Sequence, residues 1–160
     1  MFDLIVRGGD VVDGTGAPRR RADIGVKGNR IETIGDLSAA EATQVIDATG
    51  RVVTPGFIDV HTHIDAQAFW DTTLSPSPLH GVTTAIAGNC GFTLAPLDPA
   101  NAEYLVDMMC KVEGMSKAAL VNGVPWNWTS FASYLDALDG RLGVNAAFLV
   151  GHTALRRHVM

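Results

Sequence analysis

Nine residues, Pro55-Gly56-Phe57-Ile58-Asp59-Val60-His61-Thr62-His63, restrict the fold more than any other part of the chain. A turn-forming Pro-Gly pair leads into an apolar run of strand type, and the run ends in two histidines one residue apart. Side chains of a strand alternate between its faces, so His61 and His63 point the same way and can serve one cation. A continuously apolar strand is one buried on both faces, as in sheets flanked by helices. Taken alone, the pair fits equally well two histidines that fall together in a surface loop after a strand.

The texture differs on the two sides of Pro55. Residues 1–54 read as short strands joined by Gly and Asp turns, at Asp3 to Arg7, Val11 to Val12, Ala22 to Val26, Arg30 to Ile34, Val45 to Asp47 and Arg51 to Thr54. In the clearest hairpin, Lys27-Gly28-Asn29 makes the turn, and Ile24 and Val26 share a core with Ile31 and Ile34. So little β structure makes half a sandwich at best, and its apolar face needs a cover. The run from Arg7 through Gly8-Gly9 to Gly16 has glycines enough for a phosphate loop, but it lacks a Gly-Lys-Ser/Thr ending and opens no helix. Hairpin turns are the expectation there.

Residues 55–160 alternate strands with helices, which predicts a parallel α/β sheet. Phe57 to Val60, Val82 to Ala87 and Val144 to Val150 read as strands. A helix is predicted from about Pro99 to Glu113, with Tyr104, Leu105, Met108, Met109 and Val112 on its apolar face. Another starts behind Thr129 or Ser130, carries Phe131, Tyr134, Leu135 and Leu138, and stops at Gly140. A closed (β/α)8 barrel needs roughly 250 residues, so this stretch suffices for three of its units. Three parallel strands alone leave open edges and apolar surface, and Arg156-Arg157-His158-Val159-Met160 ends in mid-pattern. The expectation is a truncated chain. A complete flavodoxin-like domain is the alternative, but it needs about five strands and does not explain the β-rich first third.

The second chemical signal is Gly81-Val82-Thr83-Thr84-Ala85-Ile86-Ala87-Gly88-Asn89-Cys90-Gly91-Phe92. A β-branched strand delivers a cysteine at its C-terminal end, on the same side of the sheet as the histidine pair. A lone cysteine is ordinarily a small core residue. Beside a bound cation it becomes a soft anionic ligand. Cys110, on the apolar side of a helix, is explained by packing. Two cysteines in unlike contexts in a 160-residue chain make a poor disulfide framework.

The first of these segments closely resembles the amidohydrolase superfamily, whose first barrel strand ends in a His-x-His metal pair. The second narrows the resemblance to the N-acyl-D-amino-acid deacylase (D-aminoacylase) branch. There, a Gly-Asn-Cys-Gly-Phe stretch supplies a metal-ligating cysteine in place of the carboxylated lysine of many relatives. Ser75-Pro76-Ser77-Pro78-Leu79-His80-Gly81, Val124-Pro125-Trp126-Asn127-Trp128-Thr129 and Gly151-His152-Thr153-Ala154-Leu155-Arg156 extend the likeness along nearly all of the chain. The resemblance implies an α/β fold. By the same resemblance, residues 1–54 are expected to be the N-terminal part of an accessory β-sandwich, and 55–160 the first three βα units of a metal-dependent (β/α)8 TIM barrel. It also implies one or two zinc ions held by His61, His63 and Cys90. One departure stands out: Ile64 follows the histidine pair where the best-known D-aminoacylases carry Asp, and Asp65 comes next, which leaves substrate preference open.

Other residues are weaker candidates. His152, after the third strand, can contact substrate or a ligand, or be purely structural. Asp65 can orient a ligating imidazole or be a solvated loop carboxylate. Asp59 suits a structural hydrogen bond. His80, before its strand, belongs on the opposite face, and His158 on a surface helix. Trp126 and Trp128 either lid a pocket or anchor their loop.

By resemblance the reaction is hydrolysis of the amide bond of an N-acyl-D-amino acid by a zinc-activated water, with an aspartate base expected beyond residue 160. Residues 1–160 alone are accordingly expected to be inactive and poorly soluble. Two other readings stand beside it: a cyclic amidase resembling dihydroorotase, against which Cys90 argues, and a non-catalytic scaffold of the same fold. A net charge of −5 gives no basic footprint for nucleic acid. No apolar run approaches the ~20 residues of a membrane span, and the N-terminal sequence lacks a secretory layout. The expected setting is cytoplasmic, and the sequence does not fix the oligomeric state.

Overall fold

The computed structural model describes residues 1–160, the side chain of Pro99 apart. The chain folds as two compact units, Met1–Pro55 and Gly56–Met160.

The first unit is one five-stranded sheet built from β1 (Phe2–Val11), β2 (Arg20–Lys27), β3 (Arg30–Gly35), β4 (Ala42–Asp47) and β5 (Val52–Val53). The order is β3-β2-β1-β4, and β5 also pairs with β1. β1 runs antiparallel to β2 and parallel to β4 and β5. In the hairpin, Lys27 pairs with Arg30 across Gly28-Asn29, and Ile24 pairs with Ile34. Ile24 is buried, but Ile31 and Ile34 are 62% and 39% exposed, so the expected shared core does not form there. β3 ends the sheet and has a neighbour on one side only. The glycine run also differs from expectation, because Gly8 and Gly9 lie inside β1 at a register shift from β2. Asp23 explains why a strand continues through two glycines. Its buried carboxylate accepts from the Gly8 amide at 2.7 Å and the Leu37 amide at 2.9 Å, replacing a lost ladder partner.

The second unit contains three parallel strands, β6 (Phe57–Thr62), β7 (Val82–Ala87) and β8 (Asn145–Phe148), in that order. Four α-helices accompany them among the described residues: α1 (Ala102–Val112), α2 (Lys117–Gly123), α3 (Phe131–Asp136) and α4 (His152–Val159). This is the mixed α/β class expected. Ser130 caps α3 by accepting from the Ser133 amide, and the Ser133 hydroxyl answers the Ser130 amide, so a reciprocal capping box fixes the start of the helix. α1 buries Leu105, Val106, Met108 and Met109, whereas Tyr104 and Val112 are about half exposed. The apolar face is therefore turned from the one read in the sequence, and Tyr104 lies under the Arg157 guanidinium, 5.0 Å from ring centre.

An aromatic cluster centres the core of this unit. Trp128 is 1% exposed, stacks on Phe69 at 5.1 Å and meets Tyr134 edge-on at 5.1 Å. Its indole N–H donates to the Leu94 carbonyl at 2.9 Å, so the one polar atom it buries is satisfied. Trp126 donates likewise to the Leu120 carbonyl. Both rings anchor their loop. The Tyr134 hydroxyl donates to the Asp65 carbonyl at 3.0 Å, tying α3 to the segment that follows β6. No helix among the described residues is long and apolar enough to cross a membrane.

Candidate metal centre

The C-terminal ends of β6 and β7 are fastened side by side. Thr62, between the two histidines, points inward and donates its hydroxyl to the Ile86 carbonyl at 2.9 Å, which leaves His61 and His63 facing out of the strand end. Asp59 accepts from the His61 amide at 3.2 Å, the structural role expected of it. Beyond β7 the chain turns at Gly88, whose φ of 96° is open to glycine and whose absent Cβ would meet the Leu149 carbonyl oxygen at 2.7 Å. That turn carries Cys90 back towards His63. The Phe92 amide points at the Cys90 sulfur from 3.4 Å, and the Gly91 carbonyl accepts from the Thr153 amide at 3.0 Å. At Gly151 a Cβ would run into Thr93, whose Oγ1 accepts the Gly151 amide at 3.0 Å. The cysteine loop is thus pinned to the start of α4.

His63, Cys90 and Glu113 each bring one donor atom to a common point, all within 4.8 Å of one another. Cys90 Sγ lies 3.6 Å from His63 Nδ1, and Glu113 Oε1 lies 3.0 Å from the same nitrogen. The His61 ring stands 5.4 Å from the His63 ring, centre to centre, tilted by 37°. Two imidazoles sharing a tetrahedral zinc at about 2.0–2.1 Å would stand roughly 5 Å apart, so that spacing lets both address one ion. Both cysteines are free thiols. An imidazole, thiol and carboxylate set suits zinc, a borderline-soft cation that takes N, S and O donors. The same geometry does not suit a nucleophilic cysteine, because such a triad relays through the two different nitrogens of the imidazole and here both partners meet Nδ1.

Glu113 is not among the residues that the sequence marks. It is the C-cap of α1, 12% exposed on its side chain, and sits where the helix dipole disfavours a carboxylate. An acid at that end of a predicted helix is the signal that could have pointed to it.

Asp65 is 2% exposed, and its backbone carbonyl rather than its carboxylate takes the Tyr134 hydroxyl. It is no solvated loop carboxylate. Burial pushes its carboxyl up from an ordinary 3.8 to about 7, with the negative Glu113 adding to the rise and its own backbone amide and His63 opposing it. A folded-state value above the unfolded one stabilises fully below about 3.8 and loses that contribution as pH rises through about 7. In metal-free protein, Asp65→Asn should therefore gain stability over the parent by about 1–3 kcal/mol at pH 8 and gain little at pH 4. Urea unfolding at the two pH values reads this, and a pH-independent difference would contradict it.

The remaining candidates fall elsewhere. His152 opens α4 beside Gly91, but its side chain lines a cleft with Phe92, Tyr104 and Arg156 and is not part of the His63, Cys90, Glu113 group. His80 precedes β7, at the end away from Cys90, and His158 is exposed on α4. Cys110 packs against the core.

Comparison with known proteins adds a family. The sequence pattern of the amidohydrolase family matches residues 44–160. D-aminoacylase of Alcaligenes xylosoxydans xylosoxydans is 46% identical over 160 residues, covering 99% of this chain and 31% of that protein. A solved D-aminoacylase described as having a binuclear metal centre superposes with a TM-score of 0.78 at 42% identity, over 100% of this chain and 32% of the other. The N-acyl-D-glutamate deacylase of Bordetella bronchiseptica was solved with zinc and a phosphonate mimic of the tetrahedral intermediate. It superposes with a TM-score of 0.80 at 39% identity, over 99% of this chain and 31% of the other. The chain therefore spans about a third of the length of these relatives.

Proposed function

The chain belongs to the amidohydrolase family, and from that premise we propose that the intact protein is a zinc-dependent deacylase that hydrolyses the amide bond of N-acyl-D-amino acids. The observation that carries the proposal is the convergence of His63 and Cys90, with His61 alongside, at the fastened ends of two neighbouring parallel strands. In this reading β6, β7 and β8 are the first strands of a (β/α)8 barrel, with residues 1–54 beginning an accessory β-sandwich and residues 55–160 the barrel. Active sites of such barrels lie at the C-terminal strand ends, where these residues stand.

His61, His63 and Cys90 hold the ion. Bound zinc supplies a water with its pKa lowered towards ~7 and a Lewis acid for the scissile carbonyl. What the chain itself contributes is placement. Thr62 and Asp59 fix the backbone that presents the imidazoles, and the Phe92 amide and the Gly88 turn aim the sulfur. A thiolate ligand suits a reducing compartment, and we place the protein in the cytoplasm. Support for a deacylase over a cyclic amidase comes from the D-aminoacylase matching almost all of this chain. A scaffold reading leaves the paired histidines and the converging sulfur without a purpose.

The test is turnover. The intact zinc-loaded protein should release free amino acid from N-acetyl-D-amino acids and not from their L enantiomers, and chelation should stop it. Zinc bound tightly with no hydrolysis of any N-acyl-D-amino acid would sink the proposal.

A further inference from the structure

Resting on the zinc reading above, we infer that Glu113 is a further ligand of the same ion, bound through Oε1 on the side of His63 that faces Cys90. The atom common to the group is Nδ1 of His63, with Cys90 Sγ 3.6 Å from it and Glu113 Oε1 3.0 Å from it. Zinc bonds of about 2.0–2.1 Å to nitrogen and about 2.3 Å to sulfur, opened to a tetrahedral angle, set those two donors roughly 3.6 Å apart. The ion that His63 shares with Cys90 therefore lies on the Nδ1 lone pair, and Oε1 stands at that same place. With a zinc–oxygen bond of about 2.0–2.2 Å, the 3.0 Å separation from Nδ1 subtends roughly 90° at the ion. That is the angle between neighbouring ligands once zinc expands to five, so Oε1 joins Nδ1, Sγ and His61 and still leaves a place for water. Without a cation the three atoms suit one another poorly. A single Nδ1 hydrogen points at the sulfur or at the carboxylate and leaves the other without a donor, whereas an ion among three lone pairs satisfies all of them.

Charge points the same way. Glu113 caps the C-terminus of α1, a helix end equivalent to about half a negative charge, and its side chain is only 12% exposed. The helix needs no acid there, because the Glu113 amide already closes it on the Met109 carbonyl at 3.0 Å. Among the described residues its one ion-pair partner is His63, and buried Asp65 lies near enough for the two carboxylates to oppose each other. A dication at the meeting point outweighs the helix end, and a bound thiolate and carboxylate neutralise the dication in turn. Leu105, Val106, Met108 and Met109 pack α1 into the core, so the helix holds Oε1 firmly against the segments that carry His63 and Cys90.

The experiment uses the intact zinc-loaded protein and two variants, Glu113→Gln and Glu113→Ala. A crystal structure recorded at the zinc absorption edge locates the ion: Oε1 should bond it at about 2.0–2.2 Å, with Nδ1 of His63 facing the metal. Zinc dissociation constants come from chelator competition. A residue that only orients a ligand contributes about 10–100-fold, so losing a ligand in Glu113→Ala should weaken zinc by more than about a hundredfold. Glu113→Gln separates the two roles, because its neutral amide oxygen still accepts a hydrogen bond but is a far poorer zinc donor than a carboxylate. It should lose zinc nearly as fully as Glu113→Ala. In the cobalt-substituted forms, both variants should shift the ligand-field bands and keep the sulfur charge-transfer band of Cys90. Melting of the metal-free forms checks that the variants fold, and the zinc-edge structure decides without them if they do not. An Oε1 farther from the ion than the about 2.6 Å limit of carboxylate–cation bonds would overturn the inference. So would zinc affinity in Glu113→Gln within about a hundredfold of the parent. None of these readouts needs substrate: a protein that binds zinc through Glu113 and hydrolyses no N-acyl-D-amino acid refutes the deacylase proposal and leaves the ligand assignment standing.

Discussion

Cys90→Ala should strip the intact protein of its zinc and its hydrolytic activity together. Residues that only orient a ligand typically contribute about 10–100-fold to metal affinity, so loss of a ligating sulfur should exceed the upper end of that range. The sulfur lies 3.6 Å from His63 and has a backbone amide pointing at it, which places it among groups that can meet one ion rather than in packed hydrocarbon. Cys90→Ser preserves the shape with a much poorer zinc donor and should fall between the parent and the alanine variant. Metal analysis after dialysis, run beside the deacylase assay, reads both effects. Parent-like zinc and activity in Cys90→Ala would remove Cys90 from the centre.

Trp128→Ala should be the most damaging single change to the fold of residues 56–160. The ring is buried, stacked on Phe69 and set edge-on to Tyr134. Truncations of buried tryptophan typically cost about 3–5 kcal/mol through lost contacts and the cavity left behind. Here the loss also orphans the Leu94 carbonyl, which adds a desolvation penalty of about 1–3 kcal/mol when nothing replaces the indole donor. Trp128→Phe retains an aromatic ring for the stack and loses the donor together with the volume of the second ring, so it should fall between the parent and Trp128→Ala. Denaturant midpoints rank the three proteins, and equal midpoints would show that the cluster tolerates the hole.

Much of this was legible along the chain because it is local. The β-branched run Val82–Ala87 could hardly be anything but a strand, and Ser130 announced the start of α3. Gly8 and Gly9 misled for a physical reason: glycine reads as a turn, and only Asp23, fifteen residues beyond Gly8, supplies the bond that keeps the strand going. α2 escaped notice because it is only seven residues long and its apolar residues, Ala118, Ala119, Leu120 and Val121, are consecutive, so no helical period shows. The histidine pair and Cys90 were marked by their own surroundings in the sequence. Glu113 carries only the faint mark of an acid at the end of a predicted helix, and its meaning comes from the fold that sets residues 63, 90 and 113 together.

The hydroxyl of Thr62 has a further consequence. By gripping the Ile86 carbonyl it couples the alignment of the two strands to the direction in which their terminal side chains emerge. A slip of one residue in β6 would swing both imidazoles into the wall and bring a threonine to the opening in their stead. In the proposed zinc centre, ion uptake would therefore double as an audit of strand alignment: misaligned molecules would forfeit the cation, and whatever stability the cation confers would accrue to correctly assembled ones alone.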